Sequence, residues 1–261
     1  MDRILDQVTR PQAAITETVV DCLGRHYREV NQELRRLVDD GAHRLRLTHV
    51  AGQRYLGTNL QRPVQITIEG VPGNDLGAFM DGPRIRVLDD AQDGCGNTMN
   101  SGVLVIHGSA GDILGHSMRG GAIYVRDDVG YRVGIHMKEY GDTLPVIVIG
   151  GTAQHFLGEY MAGGVLIVLG RRLPPGAMHP SRYIGAGMHG GVIYMAGKVN
   201  ETFLGKEVAV TALSDVDRET VEGHVAAYAQ AMGMDLEPLL ARPFVKIYPK
   251  TARPYGRLYA Y

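Results

Sequence analysis

The sequence predicts an all-β fold, a parallel β-helix (β-solenoid) of about eight coils, with helical flanks at both ends. Three observations predict it. The first is a repeated Gly-x-x-Met unit, clearest in GHSMRGGAIYVRD, Gly115 to Asp127. Its anchors are Gly57, Gly77, Gly96, Gly115, Gly134, Gly158, Gly185 and Gly205, spaced 20, 19, 19, 19, 24, 27 and 20 apart. A fixed period of this length implies stacked structural repeats. The second is a set of apolar pairs two residues apart, from Ile66/Ile68 and Ile85/Val87 through Ile193/Met195. Residues two apart point to the same side of a strand. The third is the turn position after each pair, held by Gly70, Asp89, Gly108, Asp127, Gly151, Gly170 and Gly197. Glycine takes left-handed backbone angles freely and Asp tolerates them better than most residues.

Two further columns complete the repeat. The residue before each anchor is apolar in every copy, Leu56 to Leu204 with Cys95 among them. So is the third residue after it, where Met80, Met99, Met118, Met137, Met161 and Met188 recur. No single coil can bury its own apolar face, so stacking supplies the core. A methionine ladder of this kind reads as flexible core filling. The glycines recur once per coil with no helix after them, which argues against a dinucleotide-binding loop.

Residues 1–44 form the first flank. Tyr27, Val30, Leu34, Leu37 and Val38 fall at helical spacing and Gly41 stops the run. Such a helix caps the first coil, docks a partner, or does both. The β-helix occupies 45–213, opening with the strand-like LRLTHVAGQRYL. Two insertions interrupt it, one around Lys138 to Pro145 before its strand and one around Arg171 to Arg182 after its strand. They leave the prism at different corners and read either as binding excursions or as tolerated surface loops. Residues 214–242 are helical. Ser214 and Asp217 resemble a capping box, and Val216, Val221, Val225, Tyr228, Ala229 and Met232 give an apolar face. Residues 243–261 are an extended tail rich in Tyr and Arg. It either folds back on the prism or reaches another subunit, and its Tyr and Arg content favours the second, as part of a homo-oligomer or other assembly.

Composition sets the outer bounds. The chain has 261 residues, 35 glycines, no Trp, four Phe and a net charge of −1. That balance argues against nucleic acid or an anionic membrane as the main partner. The only cysteines are Cys22 and Cys95, and Cys95 falls in a core column, so a reducing, cytoplasmic setting is expected. No signal pattern and no apolar run long enough for a membrane span is present.

Catalytic patterns are missing. There is no GxSxG elbow, P-loop, CxxC or HxxxH, and His107, His116, His136, His155 and His189 fall in different columns. The expectation is a chain with no catalytic, cofactor or metal site of its own.

The longer motifs carry a resemblance. GQRYLG (52–57), PGNDLGAFMDG (72–82), AQDGCGNTMNSG (91–102), GDILGHSMRGG (111–121), GYRVGIHMKEY (130–140), FLGEYMAGG (156–164), GMHGGVIY (187–194) and RPYGRLY (253–259) resemble the GXGXG β-helix family. Within it the chain looks most like the stand-alone, archaeal-type third subunit of glutamate synthase, and is similar to the C-terminal domain of the glutamate synthase large subunit. The family also includes the β-helical subunit of formylmethanofuran dehydrogenase and of a formyltransferase/hydrolase complex, which is the alternative. The resemblance implies a non-catalytic spacer in an oxidoreductase complex of nitrogen metabolism. Its partners would be an amidotransferase subunit that hydrolyses glutamine and a synthase subunit carrying FMN and an iron–sulfur cluster. The product would be glutamate or N-methylglutamate. Polar residues in the matched motifs are the candidates for interface or tunnel contacts. They are Arg119, Arg132, Lys138, Glu139, Tyr140, Glu159 and Tyr160, with Asn74, Asp75, Asp93 and Asn97; Arg119, Lys138, Glu139 and Glu159 are larger than a coil corner needs, whereas Asn74, Asn97 and Asp93 also suit corner capping.

Overall fold

The computed structural model describes residues 17–251. Nine parallel strands follow one another up a single sheet: β1 (Thr18–Asp21), β2 (Arg44–Ala51), β3 (Gln65–Val71), β4 (Arg84–Val87), β5 (Val103–Ile106), β6 (Ala122–Val125), β7 (Val146–Ile149), β8 (Ala162–Val168) and β9 (Gly190–Ala196). Each turn of chain between them returns through a second wall. There Ala91, Ala110, Val129 and Ala153 bridge in parallel, one residue per coil. The result is a parallel β-solenoid of about six full turns.

That count is lower than the eight anchors suggest, for a local reason. After Gly205 the chain enters β10 (Val208–Ala212), which pairs antiparallel with β11 (Phe244–Pro249). β11 lies antiparallel against β9. The eighth copy therefore starts a coil but supplies no parallel strand, and the seven strands β3 to β9 that follow the other anchors bound six full turns.

The repeat columns all point inward. The apolar pairs, the pre-anchor residues from Leu56 to Ile184 and the methionines form one continuous buried core. The register keeps each column aligned, with Ile66, Ile85, Leu104, Ile123, Ile147, Leu166 and Ile193 paired strand to strand. Burying an aliphatic side chain of this size contributes about 1.5–3 kcal/mol, so the stack depends on every coil. The Met-x-Gly-Gly motif has a packing cause. A Cβ on Gly120 would lie 2.3 Å from the Asn100 carbonyl, and one on Gly121 would lie 2.5 Å from Cε of Met99 in the preceding coil. The first glycine lets the coils approach and the second makes room for the methionine below.

One end and one side are covered. Helix α1 (Tyr27–Asp39) buries Val30, Leu34 and Val38 in the same core as the coils, so it closes the first turn. Helix α2 (Asp215–Met232) has its Ser214–Asp217 capping box and ends at Gly233 in the left-handed conformation. Together with α3 (Leu236–Leu240) it packs on the outer face of the sheet. Val221, Val225, Tyr228, Ala229 and Met232 meet Val105, Tyr124, Val148, Ile167 and Tyr194 there. Val216, assigned to that face by spacing alone, is 71% exposed, because the buried face runs through Asp217, Val221, Val225 and Tyr228 and Val216 lies one position off it. Beneath the helix start, Asp217 accepts hydrogen bonds from Tyr194 Oη at 2.6 Å and Lys246 Nζ at 2.7 Å, tying α2, β9 and β11 together.

The tail corrects one expectation. Phe244–Pro249 does not leave the molecule: it is a strand inside the sheet between β9 and β10. A strand rich in Val, Ile, Tyr and Phe satisfies its backbone groups by completing the sheet. The RPYGRLY stretch lies outside the described residues, and its inter-subunit reading is untouched.

Candidate interaction surface

One corner of the prism is built from an unusual backbone. In seven of the eight copies, from Gly57 to Gly185, the anchor glycine and the residues two before and two after it are left-handed. Gly115 has φ of 66°, Ile113 51° and Ser117 53°. Among the described residues, thirteen non-glycine residues have positive φ, and all but His49 lie in these two flanking columns. Left-handed angles cost an ordinary residue roughly 1–2 kcal/mol. Hydrogen bonds between coils offset that cost. The anchor N–H donates backward to the preceding coil, as Gly115 N does to Cys95 O at 2.8 Å. The flanking N–H groups donate forward, Ile113 to Tyr131 O and Ser117 to Ile135 O.

The same geometry explains which residues vary. The anchor's Cβ direction points into the core, where an added carbon at Gly115 would lie 2.4 Å from Ile147 Cδ1. Only glycine fits. The flanking side chains point outward, so other residues are sterically allowed there. Those positions carry Tyr55, Arg132, Phe156 and Tyr183 on one side and Phe79, His136 and Tyr160 on the other.

These side chains form stacked ladders. Phe156 and Tyr183 stack with ring centroids 4.9 Å apart, and the Arg132 guanidinium sits 4.9 Å from the Phe156 centroid. His136 and Tyr160 stack at 5.4 Å, with His116 edge-on to His136 at 6.0 Å. Arg132 Nε donates to Glu159 Oε2 at 2.9 Å, joining the two ladders. Burial and the neighbouring His136 push the His116 pKa down, which keeps its ring uncharged near neutrality. Tyr160 is 50% and Tyr183 53% exposed. Exposed tyrosines held rigidly beside an arginine are the residue types that anchor protein interfaces.

Three sequence-selected residues, Arg132, Glu159 and Tyr160, thus come together on this ridge. The other four sit near the first insertion. Glu139 Oε1 accepts from Gly164 N at 2.9 Å, Arg119 O accepts from Thr143 Oγ1 at 2.8 Å, and Lys138 N donates to Met118 O. Tyr140 bridges to Thr143 with its ring exposed. The insertion is therefore pinned to the coils on both sides of it. Phe156, Tyr183 and His136 were not singled out from the sequence. Their signal was present, a fixed offset of two from each anchor, but it reads as significant only once the left-handed backbone is known. Two corner assignments are directly visible: Asp93 Oδ1 accepts from Asp112 N at 2.8 Å, and Asn97 Nδ2 donates to Asp75 Oδ1 at 3.1 Å.

Nucleophilic chemistry is disfavoured at both cysteines. Burial pushes the Cys22 thiol up to about 11 and the Cys95 thiol up to about 12. A thiol this basic holds almost no thiolate at neutral pH. Among the described residues no three His, Cys, Asp or Glu side chains converge as a metal site. None of their helices is long and apolar enough to cross a membrane.

Comparison with known proteins agrees with this architecture. A family model described as the GXGXG motif matches residues 29–250. A protein of Methanocaldococcus jannaschii described as uncharacterized is 41% identical over 254 residues, covering 93% of this chain and 96% of that protein. The ferredoxin-dependent glutamate synthase of Pyropia yezoensis is 29% identical over 162 residues, which is 57% of this chain but only 10% of the synthase. Ferredoxin-dependent glutamate synthase 2 of Synechocystis is 30% identical over 169 residues, again 10% of its length. The formyltransferase/hydrolase complex of Methylorubrum extorquens, solved with methylofuran, contains a chain of the same fold. Its TM-score is 0.58 at 18% identity, over 86% of this chain and 88% of that one.

Proposed function

The chain belongs to the GXGXG motif family, and from that premise we propose that it is the structural spacer subunit of a multi-subunit, glutamate-synthase-type complex. In this reading an amidotransferase subunit releases ammonia from glutamine. A synthase subunit with FMN and an iron–sulfur cluster reduces the imine formed with 2-oxoglutarate. The β-helix holds the two in register, and the product is glutamate or, in a complex of the same kind that acts on glutamate and methylamine, N-methylglutamate. The chain supplies position and no reacting group.

The observation that supports this reading best is the pairing of two similarities. The chain matches a stretch amounting to 10% of the glutamate synthases, and it also matches a single protein of nearly its own extent. A domain found within a long enzyme and also as a short chain is what a split enzyme would contain. The ridge supports it physically, since rigid, exposed aromatic and Arg side chains suit a permanent protein contact. The formyl-transfer alternative has the shared fold in its favour.

Deleting the chain from its host tests the proposal. Extracts should lose glutamine-dependent product formation while retaining the ammonia- or methylamine-dependent reaction of the synthase subunit. Unchanged glutamine-dependent activity in the deletion strain would overturn it.

A further inference from the structure

The outer face of the sheet is divided. Over β5–β9 it is apolar and α2 covers it. Over β2–β4 the same outward positions change character and nothing in the described chain lies on them. The row that reads Val105, Tyr124 and Val148 beneath α2 reads Arg46, Thr67 and Arg86 beyond it. The next row reads Arg44, Gln65 and Arg84. Four arginines thus project from two strands, Arg44 and Arg46 from β2 and Arg84 and Arg86 from β4, and a strand spacing of about 4.8 Å places β2 and β4 roughly 10 Å apart across β3.

Their charges are only partly answered. Arg46 bonds Glu17 at 2.8 Å and Glu69 at 2.7 Å. Arg86 Nε donates instead to the His107 ring at 2.9 Å. Burial and Arg86 itself push the His107 pKa down, so that ring brings no opposing charge. Arg44 and Arg84 have no ion-pair partner among the described residues. Gln65 and Thr67 stand between the two pairs of arginines and bring no opposing charge. Exposed Leu88 and Val19 border the patch. The fold therefore leaves a basic face here whose charges its own packing answers only in part.

We propose that the β2–β4 face is a second docking surface, and that its occupant is an acidic segment of a partner protein lying beside α2. The carboxylates of such a segment would take the paired donors of Arg44, Arg84 and Arg86, and its apolar residues would cover Leu88. Guanidinium groups suit this because they bind carboxylates through two parallel hydrogen bonds. The proposal uses the spacer reading only in taking the partner from the same complex. The face lies apart from the aromatic ridge, so a spacer would touch two neighbours through two different surfaces.

The test is made on the full chain captured from its own cells. Arg44, Arg84 and Arg86 are changed together to Glu, and in a second variant to Gln. Surface changes of this kind leave folding intact, and a matching thermal melt checks that. The Glu variant should lose one partner while keeping the other, and the Gln variant should release that same partner at lower salt. In the wild-type complex, phenylglyoxal should modify Arg84 and Arg86 at least about tenfold more slowly than in the free chain, as buried ion pairs require. Equal modification in both states, or retention of every partner by the Glu variant, would overturn the proposal and leave the spacer reading standing. So would protection conferred by DNA or by anionic vesicles but by no protein.

Discussion

At the scale of single residues, the chain shows why one glycine per coil is fixed and its neighbours are not. Gly115 must be left-handed and must also lack a Cβ, since Ile147 Cδ1 occupies that space. Gly141 has φ of 57° but open space around it. Gly141→Ala should therefore cost only the backbone term, about 1–2 kcal/mol. Gly115→Ala adds overpacking and should cost about 2–5 kcal/mol. Denaturant titration of the two variants would read the difference, and equal losses would contradict the packing argument. Asp217 makes a second test. Burial opposes its charge, but hydrogen bonds from Lys246, Ser214 and Tyr194 outweigh burial and hold its pKa well below the ordinary 3.8. A depressed carboxyl pKa contributes stability that is complete above the unfolded value and lost as pH falls through the folded one. Asp217→Asn should cost about 3 kcal/mol near neutrality. The gap to wild type should narrow only below about pH 4. A gap that closes between pH 6 and 8 would assign the effect to another group. The anchors and core columns were legible in the sequence because burial repeats every coil. The ridge residues were not, since outward positions vary freely and only the backbone angle unites them.

At the scale of elements, the solenoid strands and α2 were legible for the same reason, a periodic apolar pattern. What escaped was pairing between distant segments. β1 has only four residues and no repeat signature, yet it adds to the sheet through β2. β11 reads as an extended tail, and nothing local says that it enters the sheet between β9 and β10. The orientation of α2 was nearly right but one position off, and that position is testable. Val225 is fully buried against the outer sheet whereas Val216 is exposed. Val225→Ala should cost about 2 kcal/mol and Val216→Ala less than about 0.5 kcal/mol. Thermal melts of the two variants should differ accordingly. Equal shifts would mean that α2 does not pack on the sheet by this face.

At the scale of the whole molecule, a stack of coils closed at one end by α1 and flanked by α2 makes a stiff block whose useful surface is its outside. Fold and family were legible because the same solution is written once per coil. The functional proposal rests on resemblance, since none of the catalytic patterns sought is legible in the sequence. The physical content added by the structure is a rigid aromatic ridge and a distinct basic face. Whether the chain is a spacer is decided by native mass spectrometry of the chain captured from its own cells, with an absorption spectrum of the eluate. A spacer should arrive in a stoichiometric assembly with an amidotransferase chain and a yellow-brown flavin and iron–sulfur chain. A colourless chain eluting alone, or one bound to a metal-dependent amidohydrolase-like partner, would contradict that role.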